Sequence, residues 1–217
     1  MPSLPTRRRL LTTLVTLPFW PLASAQAQVG RRYRIELILF EHLSLDSRLA
    51  QEQARQTREA NLSGHAIGEG PLRPASRGFQ LHAVTDRIRA TGAGRILAEL
   101  AWEQIGRDFH STPWVRIQAG ASLGLRQEAT PDFFLTETTA TDPGMLRHEL
   151  EGRLRVWVGR FLHLETDLIF HVAHTPGSDP DQLKAIAVRG SQRMASGNDL
   201  FYLDHPVIGG IARVTRL

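Results

Sequence analysis

The sequence predicts an α+β fold, a mainly antiparallel β-sheet with one or two covering helices in the N-terminal half. Three observations lead there. Residues 33–41, YRIELILFE, alternate with the two-residue period of a strand. Two stretches rich in helix formers, 45–60 and 79–91, come early in the chain. The second half is a succession of short alternating segments joined by turn-like connections, and strands of that kind pair antiparallel with their neighbours.

The chain opens MPSLPTRRRLL, with Arg7, Arg8 and Arg9 as a cationic n-region. Residues 10–22 are uncharged and apolar, and Ala23-Ser24-Ala25 and Ala25-Gln26-Ala27 both have the small-x-small pattern of a signal-peptidase site. The apolar run falls short of the roughly 20 residues of a stable span. Pro18 and Pro21 also interrupt it. Residues 1–27 are therefore read as a cleavable signal peptide, with residues 28–217 as a single exported domain. Thr6 to Leu11 resembles a twin-arginine signal. Three arginines are common in ordinary n-regions, so the Sec route is the expectation. No cysteine stands at the cleavage site and no later apolar run is long enough for an integral membrane anchor.

In the first strand Tyr33, Ile35, Leu37 and Leu39 share one face, and Ile38 and Phe40 make the other face apolar towards its end. Residues 45–60 read as an exposed helix with a thin apolar stripe, and 61–78, rich in Gly, Pro, Ser and Asn, as a loop. The helix at 79–91 places Leu81, Val84 and Ile88 on one side, and Gly92 and Gly94 end it. Strands follow at 95–105 and 114–119, then an acidic, Thr-rich connection at 126–146. Further strands are predicted at 150–158, 161–173, 183–191 and 209–215, with a Pro/Asp/Gly turn at 175–181.

The formal charge of the chain is +4, but the signal holds three of its 26 basic residues and no acid. What remains is 23 basic against 22 acidic residues, a net of +1. A nucleic-acid partner is not expected, because phosphate binding needs a concentrated positive field. The absence of cysteine excludes a disulfide framework, a thiol nucleophile and any Cys-ligated metal.

No pattern calls for a cofactor or a metal. Gly92-Ala93-Gly94 lacks the third glycine of a dinucleotide loop and follows a helix. His171 and His174 fall on a strand, where a spacing of three points them to opposite faces. His163 sits among Phe161, Leu162 and Leu164 and reads as a packed histidine. Gly120-Ala121-Ser122-Leu123-Gly124 matches the G-x-S-x-G of serine hydrolases, but without successive βα units it reads as a hairpin with two glycines. Asp204-His205-Pro206 is good turn chemistry, since Asp bonds nearby backbone N–H groups and Pro fixes φ. The same tripeptide also offers Asp204 and His205 to a ligand.

The tail SQRMASGNDLFYLDHPVIGGIARVT resembles the C-terminal signature of the CsiV family of periplasmic peptidoglycan-binding proteins, at Ser191, Arg193, Met194, Ser196, Gly197, Tyr202, Asp204, His205, Pro206 and Gly209. Tyr33 to Phe40 resembles the family's first strand, Trp102-Glu103-Gln104 its Trp-x-Gln segment, and Leu150-Glu151-Gly152 with Gly159 to Leu164 a strand pair containing Gly-Arg-Tyr-Leu-His. Gln192 stands where that signature has a second arginine, and Phe161 where it has tyrosine. The resemblance implies a non-enzymatic periplasmic factor that binds peptidoglycan and supports an outer-membrane lipoprotein activator of a class A penicillin-binding protein. Trp102, Arg160, His163, Arg193, Tyr202, Asp204 and His205 are then the ligand-binding candidates. The aromatic and arginine side chains among them are types that stack on sugars or pair with carboxylates. Two alternatives stand beside it, a periplasmic protein–protein adaptor that does not touch glycan, and a cell-wall hydrolase using Ser122 or a pair of acids.

Overall fold

The computed structural model describes residues 28–43, 60–125, 146–172, 184–194 and 199–217. The predicted leader, nearly all of the 45–60 helix and of the 126–146 connection, the 175–181 turn and His174 lie outside the described residues.

Two antiparallel sheets share one buried core. Sheet A runs in the order β2-β3-β1-β9-β8: β2 is Arg73–Pro74, β3 Gly94–Ile105, β1 Arg32–His42, β9 Ile208–Arg216 and β8 Phe201–Leu203. Sheet B is a meander of β4 (Val115–Leu125), β5 (Leu146–Val158), β6 (Leu162–Val172) and β7 (Lys184–Met194). The chain builds the centre of sheet A, leaves to make all of sheet B, and returns so that its last strand pairs with its first, Ile38 opposite Ile211.

The alternation in β1 decides how the layers stack. Tyr33, Ile35, Leu37 and Leu39 face sheet B and join Trp102, Leu150, Leu154, Val156, Leu164 and Phe170 in the main core. Ile38 and Phe40 point the other way, where the helix α1 (His82–Thr91) covers them with Leu81 and Ile88. β1 is thus buried on both faces over its second half, as its composition predicts. Gly92 ends α1 in the left-handed conformation, at φ 64°, a backbone state that glycine adopts without strain.

Several boundaries differ from the sequence reading. The helix starts three residues later than predicted, with Phe79 and Leu81 packing against it from the incoming chain. The Ser122 segment is not a hairpin: β4 runs through it to Leu125, with irregular register either side of Ser122 and positive φ at Gly120 and Gly124. It therefore lacks the strand-to-helix elbow that would present a nucleophile. β8 was not predicted, since three residues carry too little pattern to register. Among the described residues no helix is long and apolar enough to cross a membrane.

Candidate functional site

On the face of sheet B turned away from the core, the strand register lines up charged and aromatic side chains in rows. Trp157, His163 and Arg193 are successive cross-strand partners in β5, β6 and β7. The next row is Arg155, Glu165 and Ser191, and the one after it Arg116, Arg153, Asp167 and Arg189. Ion pairs knit the last two rows. Arg155 Nε donates to Glu165 at 2.8 Å, and Arg189 Nε to Asp167 at 2.7 Å.

The loop between β3 and β4 folds onto this face and adds Phe109 and Trp114. Arg155 donates to the Phe109 carbonyl at 2.8 Å. Its guanidinium lies 4.0 Å from the centre of the Phe109 ring and 4.3 Å from that of Trp114, while Arg153 stacks on Trp114 at 4.2 Å. Phe109 meets Trp157 edge to face, and Trp157 stacks flat on His163. Arg193 lies over Phe161 at 4.4 Å, with Arg160 over the same ring at 5.6 Å. The outcome is an unbroken row of π faces and guanidinium planes, from Trp114 at one end to Phe161 at the other.

Apart from Arg155, which is buried and paired with Glu165, the row is accessible, and it is cationic at its Arg160 and Arg193 end. Phe109 is 41% exposed, Arg160 and Arg193 are exposed, and Trp114, Trp157, Phe161 and His163 are half-buried. Among the described residues Arg160 and Arg193 have no carboxylate partner. Burial, and then the charge of Arg193, hold the His163 imidazole below its ordinary pKa of 6.5. The ring is therefore neutral at neutral pH. Among the described residues the buried Trp157 indole N–H has no acceptor.

The sequence candidates divide between three places. Arg160, His163 and Arg193 come together in this row. Trp102 does not: it is fully buried in the main core, where its Nε1 donates to Gln104 at 2.8 Å and Gln104 in turn donates to the Val156 carbonyl of sheet B. Its ring is not available to a ligand. Tyr202, Asp204 and His205 form a separate group beyond β7. Tyr202 Oη is 3.2 Å from His42 Nε2, and the Tyr202 carbonyl accepts from Gln192.

His205 closes the β8–β9 connection. The Val207 N–H donates to its Nδ1, and the ring also bonds to the Ala187 backbone. Burial holds this imidazole below the ordinary value, against the Ala187 bond and the charge of Asp204. His205 thus ties the β8–β9 connection to the edge strand of sheet B.

Phe109, Trp114, Arg153, Arg155 and Trp157 were missed by the sequence reading. Arg153-x-Arg155-x-Trp157 is a signal that was present, since its period of two puts all three on the non-core face.

A family model described as "Peptidoglycan-binding protein, CsiV" matches residues 10–217. The chain belongs to the CsiV family. No curated protein and no solved structure matches it. The CsiV match spans both sheets and the linking loop, so the aromatic row is part of the matched region. The description of the family is that of a binding protein, and it names peptidoglycan as what is bound.

Proposed function

We propose that this CsiV protein is an exported, non-enzymatic periplasmic accessory protein that holds peptidoglycan on the outer face of sheet B and so supports cell-wall synthesis. The observation that carries the reading is the row from Trp114 through Arg155, Phe109, Trp157 and His163 to Arg193 and Phe161. Aromatic rings give a sugar a flat apolar surface with wettable edges. Guanidinium forks give the stem-peptide carboxylates bidentate partners. The wall polymer supplies both chemistries on one strand. The cationic n-region and short apolar run of residues 7–22 support export, and the lack of a cysteine at the cleavage site fits an unanchored protein. In this reading an outer-membrane lipoprotein activator of a class A penicillin-binding protein is the partner that benefits.

Co-sedimentation with purified sacculi at low salt tests it. The unmodified protein is expected in the pellet, and the Phe109→Ala/Arg193→Gln double variant largely in the supernatant. An unmodified protein that stays in solution overturns wall binding and leaves the adaptor role. Equal pelleting of both proteins moves the contact away from sheet B.

A further inference from the structure

A second feature lies at the other end of the β3–β4 loop. Arg32, Gly70, Pro71, Arg73, Glu103, Gln104, Ile105 and Arg107 line a recess of about 190 Å³. Its frame is fixed by the strand ladder, with Arg32 opposite Ile105 and Arg73 opposite Glu103. The Arg107 backbone is held as well, its carbonyl accepting from the Val158 N–H at 2.7 Å and the Thr112 hydroxyl at 2.9 Å. Glu103 is fixed by Ser76, which donates to Oε1 from its N–H at 2.9 Å and its hydroxyl at 2.6 Å. These bonds, with the charges of Arg32 and Arg34, hold the Glu103 carboxyl below 4.5.

Rigid walls contrast with unoccupied charges. Arg32, Arg73 and Arg107 are all lining residues, and among the described residues their guanidiniums take part in no hydrogen bond or ion pair, Arg32 acting on Glu103 through its charge alone. Three cations and one anion leave a net of +2, which a phosphate dianion would balance only by lying against the Glu103 carboxylate. They suit a group that carries both signs. The guanidinium forks match a carboxylate, and the second oxygen of Glu103 is left for an ammonium. Pro71 and Ile105, the latter 49% exposed, offer apolar contact for a short side chain. The recess is smaller than the roughly 300 Å³ at which pockets for drug-sized ligands begin.

We infer that this recess binds the zwitterionic head of an amino acid, its carboxylate on Arg32, Arg73 and Arg107 and its ammonium on Glu103. The site is separate from the aromatic row and stands whether or not that row holds glycan.

An NMR titration of the purified protein tests it, with alanine, N-acetylalanine, alaninamide and inorganic phosphate as probes. Alanine is expected to shift the signals of residues 103–107 saturably, with a Kd around millimolar, about −4 kcal/mol. Blocking either end of alanine removes one charge-assisted contact and weakens binding about tenfold. Arg73→Gln weakens alanine and N-acetylalanine alike. Glu103→Gln keeps an oxygen for Ser76, so it weakens alanine while sparing N-acetylalanine. Phosphate binding as tightly as alanine, equal binding of free and blocked alanine, or no saturable shift would overturn the assignment. Loss of sacculus binding on Phe109→Ala/Arg193→Gln would leave it untouched.

Discussion

Trp157 and His163 lie face to face, with ring centroids 3.9 Å apart and planes within 5° of parallel. They are direct cross-strand partners in β5 and β6, so the register itself brings them together. A stacked aromatic pair contributes about 0.5–1.5 kcal/mol beyond the area it buries. A double-mutant cycle with Trp157→Leu and His163→Leu, followed by urea unfolding, is expected to give a coupling in that range. A coupling under ~0.3 kcal/mol, the noise of such cycles, means that the rings are neighbours without being partners.

The stack also sets a pH dependence. His163 and His205 both have imidazoles depressed below 6.5, chiefly by burial. Above that value neither the folded nor the unfolded chain protonates them, and stability is unaffected. Below it the unfolded chain takes up protons that the folded chain resists, so stability falls as pH drops through the folded values. Carboxylates whose folded pKa is lowered, such as Glu103 and Glu149, add their loss only below 4.5. The urea midpoint should hold level from about pH 8 to 7 and decline from 6.5 downward. The His163→Gln/His205→Gln variant should flatten that decline. An unchanged slope in the variant assigns the loss to other groups.

Arg95 ties the two sheets. It stands in β3, and its guanidinium donates to both oxygens of Glu149 in β5, at 2.8 and 3.2 Å, while also bonding Glu41 in β1. Burial alone would push the Glu149 carboxyl up. The Arg95 bonds and the Ala121 N–H outweigh it and hold it below 4.5. The two ends of this clamp are unequal, because Arg95 is 42% exposed and Glu149 only 7%. Arg95→Met strands a buried carboxylate and should cost about 2–3 kcal/mol. Glu149→Gln keeps an acceptor for Ala121 and lets Arg95 rehydrate, so about 1 kcal/mol is expected. Equal losses in chemical denaturation would show that the charge at Glu149 is not what the clamp depends on.

How much of this was legible follows from how far apart in the chain each feature's parts lie. The double burial of β1 could be read directly, since Ile38 and Phe40 break the polar alternation within one strand. The end of α1 at Gly92 was equally local. Trp157 was half legible: its period in β5 places it off the core, but its partner is known only once the β5–β6 register is fixed. Phe109 could not be placed at all: it sits on a loop without periodicity, and only tertiary folding lays that loop on sheet B. Trp114 could be read only as the head of the strand predicted at 114–119, and its arginine neighbours on β5 come from the fold. Trp102 shows the converse. Its Gln104 partner two residues on is a local cue, yet the acceptor that completes the network belongs to the other sheet.

Gly209, part of the C-terminal signature, has a steric reason to be glycine. It is the cross-strand partner of Phe40, and a Cβ built there would run into that ring. The ring cannot move aside freely, since it is buried with Ile38, Leu81 and Ile88 under α1. Gly94 on the opposite neighbouring strand is closed by the same ring and by the Glu41 carbonyl. Overpacking of this kind costs about 1–3 kcal/mol, so Gly209→Ala should lose that much in a urea titration. The second change Phe40→Leu removes the ring and should make Gly209→Ala nearly neutral in its background. If the alanine costs the same with or without the ring, the requirement at this position is conformational freedom rather than space.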